Sequence, residues 1–214
     1  MTEKERKAGV IKAVKAAYPK AGCSLKHKSV WQLLCATILS AQCTDERVNL
    51  TTPSLFKAYP SPKALGEAKQ EDVERLIRSC GFYKNKAKSL IAASKIIAEK
   101  HKGRVPKTME ELTSLPGVAR KTANVVLGTG YGINDGIVVD THVSRLSNRL
   151  GLSKNIEPEK IEKDLMKIVP REEWTDFSHR LIAHGRAVCQ ARNPKCAGCP
   201  LSSLCPSTLF RAHI

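Results

Sequence analysis

The sequence predicts an all-helical protein. Apolar residues recur at helical spacing along most of the chain, most clearly across residues 87–97, where they stand at i, i+3, i+4, i+7 and i+10. Residue types that cap helices precede several of these segments, and no pair of alternating apolar and polar strands is left over. We therefore expect about ten helices. A chain of 214 residues can bury a core in one large domain or two small ones.

Apolar stripes and capping residues mark the helices of the first half. Stripes predict helices over residues 5–18 and 29–42. Ser61 and Pro62 supply a capping hydroxyl and a first-turn proline for a short helix. The sequence Thr-Met-Glu-Glu at 108–111 is a capping box, which predicts another short helix.

Proline and glycine divide the second half. Pro116 and Gly117 end the helix that starts at the capping box. A glycine-rich stretch at 128–136 is a candidate hinge, and Asp140 stands where it can cap the helix that follows. Further helices are predicted over residues 118–127, 141–150, 157–169 and 173–190.

The charge balance predicts a polyanionic partner. The chain carries 36 basic and 20 acidic side chains, a formal net charge of +16 and an isoelectric point near 9.7. Such a field attracts nucleic acid and raises encounter rates with it. The basic residues between positions 84 and 107 surround a single acid, Glu99. They are Lys84, Lys86, Lys88, Lys95, Lys100, Lys102, Arg104 and Lys107. A solvated helix face is the alternative interpretation of this run.

Nothing in the sequence predicts a membrane protein. The longest apolar stretch, near residues 30–41, is well short of the ~20 residues that a spanning helix needs. The first seven residues are largely charged and do not resemble an export signal. We expect a monomer in the cytoplasm, associated with the nucleoid in a prokaryote.

Cysteines near the end of the chain predict an inorganic centre. Cys189, Cys196, Cys199 and Cys205 have the spacing C-x6-C-x2-C-x5-C. Thiolates in a short loop suit zinc or an iron-sulfur cluster. A single close pair flanked by two further cysteines favours a four-iron cluster over zinc, and a disulfide loop or inert buried thiols remain alternatives. The other cysteines are expected to be small buried hydrophobic residues: Cys23, Cys35, Cys43 and Cys80.

The sequence Leu-Pro-Gly-Val at 115–118, between two short helices, predicts a helix-hairpin-helix. Such a hairpin presents backbone N–H groups to one phosphate and grips DNA without reading its sequence. An ordinary corner between helices is the alternative.

Several motifs together resemble the endonuclease III family of helix-hairpin-helix DNA glycosylases. They are LPGVARKTANVVL at 115–127, VDTH at 139–142, LSAQCTD at 39–45, GFY at 81–83 and the cysteine loop. The resemblance runs nearly end to end. It implies two helical domains flanking a cleft, one over 25–133 with the hairpin and one over 1–24 plus 134–214 with the [4Fe–4S] cluster loop.

The resemblance also implies a function in base-excision repair. Family members are DNA glycosylases with AP lyase activity, which flip oxidised or ring-saturated pyrimidines out of double-stranded DNA and form a lysine Schiff base. The implied substrate is therefore duplex DNA with a damaged pyrimidine or an abasic site. A non-catalytic iron-sulfur DNA-binding or redox-sensing protein is the alternative. The adenine branch normally has serine at the position of Lys121, and the oxidised-guanine branch usually lacks the cysteines, so both fit less well.

Lys121 matches the family nucleophile and Asp140 its essential carboxylate. Lys121 stands in the first turn of a predicted helix beside Arg120, and both the helix start and Arg120 disfavour a charged ammonium. A carboxylate near Lys121 would have the opposite effect, because it would raise the pKa of the lysine amine. The alternative roles are phosphate binding for Lys121 and helix capping for Asp140.

Further residues match DNA-contacting positions of the family. Gln42 and Phe82 stand where the family fills the gap left by the flipped nucleotide; Phe82 replaces the usual leucine, and core packing is its alternative role. Ala119 replaces a glycine, which is harmless only if the residue is helical with a negative φ. The complete predicted set is Gln42, Phe82, Leu115, Gly117, Val118, Ala119, Arg120, His142, Arg192 and Lys195.

Overall fold

A computed structural model of the chain describes residues 1–209. These residues form twelve α-helices, one π turn and two 3₁₀ turns, and no strand occurs among them. The predicted all-helical fold is confirmed. By contact, the chain divides into two compact units, one made of residues 23–133 and the other of residues 1–22 with those from Asn134 onward.

The unit made of residues 23–133 contains seven helices. They are α2 (Val30–Ser40), α3 (Asp45–Ala58), α4 (Pro62–Gly66), α5 (Gln70–Leu76), α6 (Tyr83–Lys100), α7 (Met109–Thr113) and α8 (Arg120–Val125), and a π turn follows at Val126–Gly130. Helix α2 contacts α3, α6 and α8, and Leu33, Leu34 and Leu39 on it are almost fully buried. This helix is therefore the centre of the unit's core.

The other unit is built from five helices. They are α1 (Glu3–Ala17), α9 (Thr141–Arg149), α10 (Pro158–Ile168), α11 (Trp174–Ala187) and α12 (Pro206–Leu209), with 3₁₀ turns at Arg171–Glu173 and Ser202–Leu204. Val10 and Val14 of α1 are fully buried in a core with Phe177 and Leu181 of α11. The N-terminal helix thus belongs to the same core as the C-terminal helices.

Arg6 fixes α1 to the C-terminal half of this unit. Its Nη1 donates to the carbonyl oxygens of Leu150 at 2.7 Å and Leu204 at 3.1 Å, and its Nη2 donates to that of Gly151 at 3.0 Å. Hydrogen bonds from a charged donor are stronger than neutral ones. Nothing in the local sequence around Arg6 indicates these distant partners.

The start of the glycine-rich stretch is packed, and the boundary between the two compact units falls inside the stretch, between Ile133 and Asn134. The helix predicted over 118–127 begins at Arg120 and continues as the π turn to Gly130. Gly128 is buried, and a Cβ added to Gly130 would lie 2.9 Å from Cγ1 of Val30. The glycines at the start of this stretch therefore allow close packing against α2.

Within residues 1–209, no helix combines the length and the hydrophobicity needed to cross a bilayer.

Candidate functional site

The turn between α7 and α8 is anchored by buried side chains. Leu115 and Val118 are 2% and 6% exposed, so their side chains belong to the core. Their backbone N–H groups donate to the carbonyl oxygens of Leu112 and Leu115, each at 3.1 Å, so both residues anchor the turn instead of offering donors to DNA as predicted. Gly117 has φ of +80°, and a Cβ there would lie 2.7 Å from Cβ of Ser89 on α6. The turn therefore requires glycine for its backbone conformation and for its packing.

Replacing Gly117 by alanine is expected to lower the free energy of unfolding by about 2 to 4 kcal/mol. The expectation combines left-handed backbone strain with a clash against Ser89. Urea unfolding followed by circular dichroism measures it. Gly22→Ala is the matched control, because a Cβ at Gly22 meets nothing within 4 Å, and it is expected to change stability by less than about 0.5 kcal/mol. Equal stability of the two variants would contradict the required conformation.

Lys121 lies in the first turn of α8 and its side chain is exposed. Ala119 is the residue before the helix, with φ of −89° and ψ of 169°, and it provides no side-chain cap. The negative φ explains why alanine is accommodated where the family usually has glycine, although the residue is extended and not helical. Arg120, beside Lys121, is also exposed.

Asp140 caps α9. Its Oδ1 accepts a hydrogen bond from the backbone N–H of Val143 at 2.8 Å, and the residue is half-buried. The predicted cap is confirmed. This hydrogen bond occupies one carboxylate oxygen and fixes the direction of the other, so the side chain is held in one orientation.

His142 is held by Arg145. Nη2 of Arg145 donates to Nδ1 of His142 at 3.2 Å and to the carbonyl oxygen of Cys189 at 2.9 Å. Because arginine has no acceptor, Nδ1 of a neutral His142 must be the unprotonated nitrogen, which leaves the proton on Nε2. His142 thus presents an N–H donor at its other ring nitrogen.

Gln42 and Phe82 lie on neighbouring loops within residues 23–133. A Cβ added to Gly81 would lie 3.6 Å from the carbonyl oxygen of Gln42, so the loops touch. Both residues have left-handed backbones, with φ of 52° at Gln42 and 57° at Phe82. The Phe82 side chain is 65% exposed, which excludes core packing. Strained backbone and an exposed aromatic ring at one place are typical of a binding site.

The basic run at 84–107 is mostly exposed, with one exception. Lys86 is 6% exposed, and its Nζ donates to the carbonyl oxygen of Leu39 at 2.8 Å. Lys86 is therefore part of the interior and not available to phosphate, because α6 turns this position toward α2. The exposed members are Lys84, Lys88, Lys95, Lys100, Lys102, Arg104 and Lys107.

The four C-terminal cysteines surround one another. Burial raises the pKa of Cys199, a hydrogen bond from the N–H of Leu201 at 3.4 Å lowers it, and the other three thiols raise it. Among residues 1–209, however, no group of three or more thiol, imidazole or carboxylate side chains is arranged so that it could hold a single metal ion. Four thiols in one short loop are a donor set that suits an iron-sulfur cluster or a structural zinc ion.

Arginine side chains hold the cysteine loop in place. Nη1 of Arg149 donates to Sγ of Cys189 at 3.5 Å and to the carbonyl oxygen of Gln190 at 2.7 Å, and its Nη2 donates to that of Ala191 at 2.9 Å. Donors to sulfur stabilise the thiolate form that ligates iron. Arg192 and Lys195 follow on the same loop with exposed side chains. The role of Arg149 could not be predicted from the local sequence, because its partner Cys189 lies 40 residues away.

Two family models match the chain. The model of the HhH-GPD superfamily of base excision DNA repair proteins matches residues 35–171, and that of the iron-sulfur binding domain of endonuclease III matches residues 189–205. Endonuclease III of Synechocystis is 54% identical over 206 residues, which cover 96% of this chain and 94% of that protein. The chain belongs to the endonuclease III family. As a member of this family it is a base-excision repair enzyme, a bifunctional DNA glycosylase and AP lyase.

Solved structures of endonuclease III are similar to the whole chain. A non-covalent endonuclease III–DNA complex has a TM-score of 0.93 and 41% identity, and covers 100% of both chains. A trapped covalent intermediate of endonuclease III with DNA has a TM-score of 0.92 at the same 41% identity. The cofactor of this enzyme is a [4Fe–4S] cluster, with the four C-terminal cysteines as the residues that would hold it. A cluster fully ligated by cysteine supplies a fixed scaffold for its loop.

Proposed function

We propose that this enzyme removes oxidised or ring-saturated pyrimidines from double-stranded DNA and then cleaves the strand by β-elimination. The observation that carries this proposal is an exposed lysine, Lys121, in the first turn of the helix that follows the tight glycine turn at Gly117. A lysine amine in its neutral form is a nucleophile toward the sugar.

In the proposed reaction, the neutral amine of Lys121 attacks C1′ of the damaged nucleotide. The bond from C1′ to the base nitrogen breaks, and the base leaves with the electron pair and takes up a proton. The amine loses a proton as the sugar ring opens, and a Schiff base forms. Loss of a proton from C2′ expels the 3′ phosphate, and water then releases the enzyme.

Asp140 is proposed to supply the negative charge for this reaction. Positive charge develops on the sugar as the base leaves, and a carboxylate in a fixed orientation stabilises it without reorganisation. The hydrogen bond from Val143 gives Asp140 that fixed orientation. Capping α9 and assisting the reaction are therefore compatible roles for one side chain.

The DNA contacts are proposed in three groups. The backbone N–H groups of Gly117 and Ala119 in the hairpin, with Arg120, bind phosphate, and Arg192 and Lys195 bind it from the cluster loop. Gln42 and Phe82 fill the gap left by the flipped nucleotide. His142 donates its Nε2–H to the DNA. The DNA complexes of endonucleases that are 41% identical support this assignment.

We propose that the enzyme works as a monomer on the bacterial nucleoid. Its relatives are bacterial, and its net charge of +16 favours a polyanion over a second copy of itself. Size-exclusion chromatography with light scattering, with and without a lesion duplex, measures the stoichiometry.

Borohydride trapping tests the proposed reaction and substrate. The enzyme is incubated with duplexes that carry thymine glycol, an oxidised cytosine, an abasic site or no lesion, and the adduct is mapped by peptide mass spectrometry. Adducts on Lys121 with all three damaged duplexes are expected. Trapping with the abasic duplex alone would contradict the pyrimidine specificity, and an adduct on another lysine would contradict the role of Lys121.

Replacing Phe82 by leucine is expected to change the relative rates of base removal from different lesions by about fivefold or more. An exposed aromatic ring stacks on bases more strongly than a leucine side chain, and stacking contributes about 1 to 3 kcal/mol per base. The rates of base removal from a panel of lesion duplexes give the ranking of substrates. Leu50→Ala is the control, because Leu50 is another exposed apolar residue of the same unit. An unchanged ranking for Phe82→Leu would exclude Phe82 as a determinant of specificity.

A further inference from the structure

The two loops that carry Gln42 and Phe82 each carry a cysteine as well. Cys43 follows Gln42 directly, and Cys80 precedes Phe82 by two residues. The backbones of these loops are in contact, since the Cβ position of Gly81 lies 3.6 Å from the carbonyl oxygen of Gln42. Neither thiol belongs to the cluster loop.

The two thiols interact with each other. Burial raises the pKa of Cys80, a hydrogen bond to Thr51 lowers it, and the charge of Cys43 and a hydrogen bond with it raise it. The Cys80 thiol is fully buried and donates to Oγ1 of Thr51 at 3.8 Å, whereas Cys43 is half-buried. One thiol of the pair is thus accessible to a small reagent and its partner lies behind it.

A buried cation accompanies the pair. Lys86 is 6% exposed, and its Nζ is fixed by donation to the carbonyl oxygen of Leu39 at 2.8 Å. Burial lowers the pKa of Lys86, and the charges of Cys43 and Cys80 raise it. A neighbouring ammonium favours the thiolate, which is the reactive form of cysteine. For Cys80 this effect of Lys86 opposes the larger effect of burial, which raises the pKa of its thiol, so the half-buried Cys43 is the thiol that meets the oxidant.

We propose that Cys43 and Cys80 form an oxidation site that reacts with hydroperoxides and closes to a disulfide. The thiolate of Cys43 attacks a peroxide oxygen, the O–O bond breaks, and Cys43 becomes a sulfenic acid while water or an alcohol leaves. The sulfur of Cys80 then attacks the sulfur of Cys43, an S–S bond forms, and water leaves. The two thiols lose two electrons in total, and the peroxide gains them.

The disulfide would join the two loops that hold Gln42 and Phe82. Both residues have left-handed backbones, so small changes in their loops redirect their side chains. This consequence rests on the proposed function of Gln42 and Phe82 in filling the gap in DNA. The oxidised enzyme is therefore expected to bind lesion DNA more weakly, and a thiol reductant reverses the effect by disulfide exchange.

Oxidation of the holoenzyme tests the site. The enzyme is treated with limiting hydrogen peroxide, free thiols are blocked, and the disulfides are mapped by mass spectrometry while visible absorbance confirms that the cluster is intact. A peptide linking Cys43 to Cys80 is expected, together with a loss of affinity of about tenfold for a duplex with an uncleavable abasic analogue. Dithiothreitol is expected to restore the affinity.

Matched variants distinguish the site from general damage. Cys43→Ser and Cys80→Ser are expected to bind DNA normally and to be insensitive to peroxide. Because Cys43 is half-buried and Cys80 is fully buried, Cys43→Ser is the variant less prone to folding defects. Cys23→Ser, another half-buried cysteine of the same unit, is expected to remain sensitive.

Each outcome has a defined meaning. Absence of the Cys43–Cys80 peptide while the cluster survives would overturn the proposal, as would equal sensitivity of Cys43→Ser and wild type. A disulfide that leaves DNA affinity unchanged would overturn its regulatory consequence. If the reduced enzyme bound no lesion duplex, the proposed function would fail, although the disulfide would still be found.

Discussion

Replacing Lys121 by glutamine is expected to abolish the borohydride-trapped complex and to lower strand cleavage at an abasic site by about three orders of magnitude or more. The amide of glutamine is not nucleophilic, so no Schiff base can form. Because Lys121 is exposed in the first turn of α8, the substitution should change stability by less than about 0.5 kcal/mol. Single-turnover kinetics on an abasic duplex measures the loss.

The control for this variant removes a positive charge elsewhere. Lys100→Gln alters an exposed lysine in the last turn of α6 and is expected to retain trapping and most of the cleavage rate. Both variants should bind an uncleavable abasic analogue within a few-fold of wild type, because each loses one cation from a chain of net charge +16. Trapping that persists in Lys121→Gln would place the nucleophile at another residue.

Helix starts are the part of the fold that the sequence predicts best. The capping residues predicted from the sequence, Ser61, Thr108 and Asp140, each accept a hydrogen bond from the N–H group three residues ahead. Such caps depend on residues within a single turn, so they can be recognised from local sequence. The same is true of the proline and glycine that end α7 near Leu115.

Features that depend on distant neighbours could not be predicted. Lys86 stands in a basic run and looks exposed in sequence, yet α6 places it against the carbonyl oxygen of Leu39. The close packing of the glycines at 128–130 also has no local signal, because it depends on Val30, which lies against one of them. In both cases the deciding atom is many residues away, and local propensity carries no information about it.

The residues of the candidate site also differ in whether the local sequence predicts them. The cysteine spacing alone favours a cluster, since its ligands are close in sequence. Lys121 and Asp140 were assigned through the resemblance to a family, because a lysine in a helix turn and an aspartate at a helix start are common residues. The left-handed backbones at Gln42 and Phe82 have no sequence signal, because neither residue is glycine.

Replacing Asp140 by asparagine is expected to lower the rate of base removal by about 10²- to 10³-fold without unfolding α9. Asparagine caps helices about as well as aspartate, so the hydrogen bond from the N–H of Val143 is retained while the negative charge is lost. Stability should therefore fall by no more than about 2 kcal/mol, the upper range for a charge at a partly buried helix end. Single-turnover release of thymine glycol measures the rate, and urea unfolding measures the stability.

Asp140→Ala separates the two roles of this side chain. It removes the charge and the cap together, so it should be as inactive as Asp140→Asn but less stable by a further ~1 kcal/mol. Equal inactivity with unequal stability would assign the chemistry to the carboxylate charge. An Asp140→Asn enzyme with nearly wild-type rates would instead show that Asp140 only caps α9, and that the positive charge on the sugar is stabilised by another group.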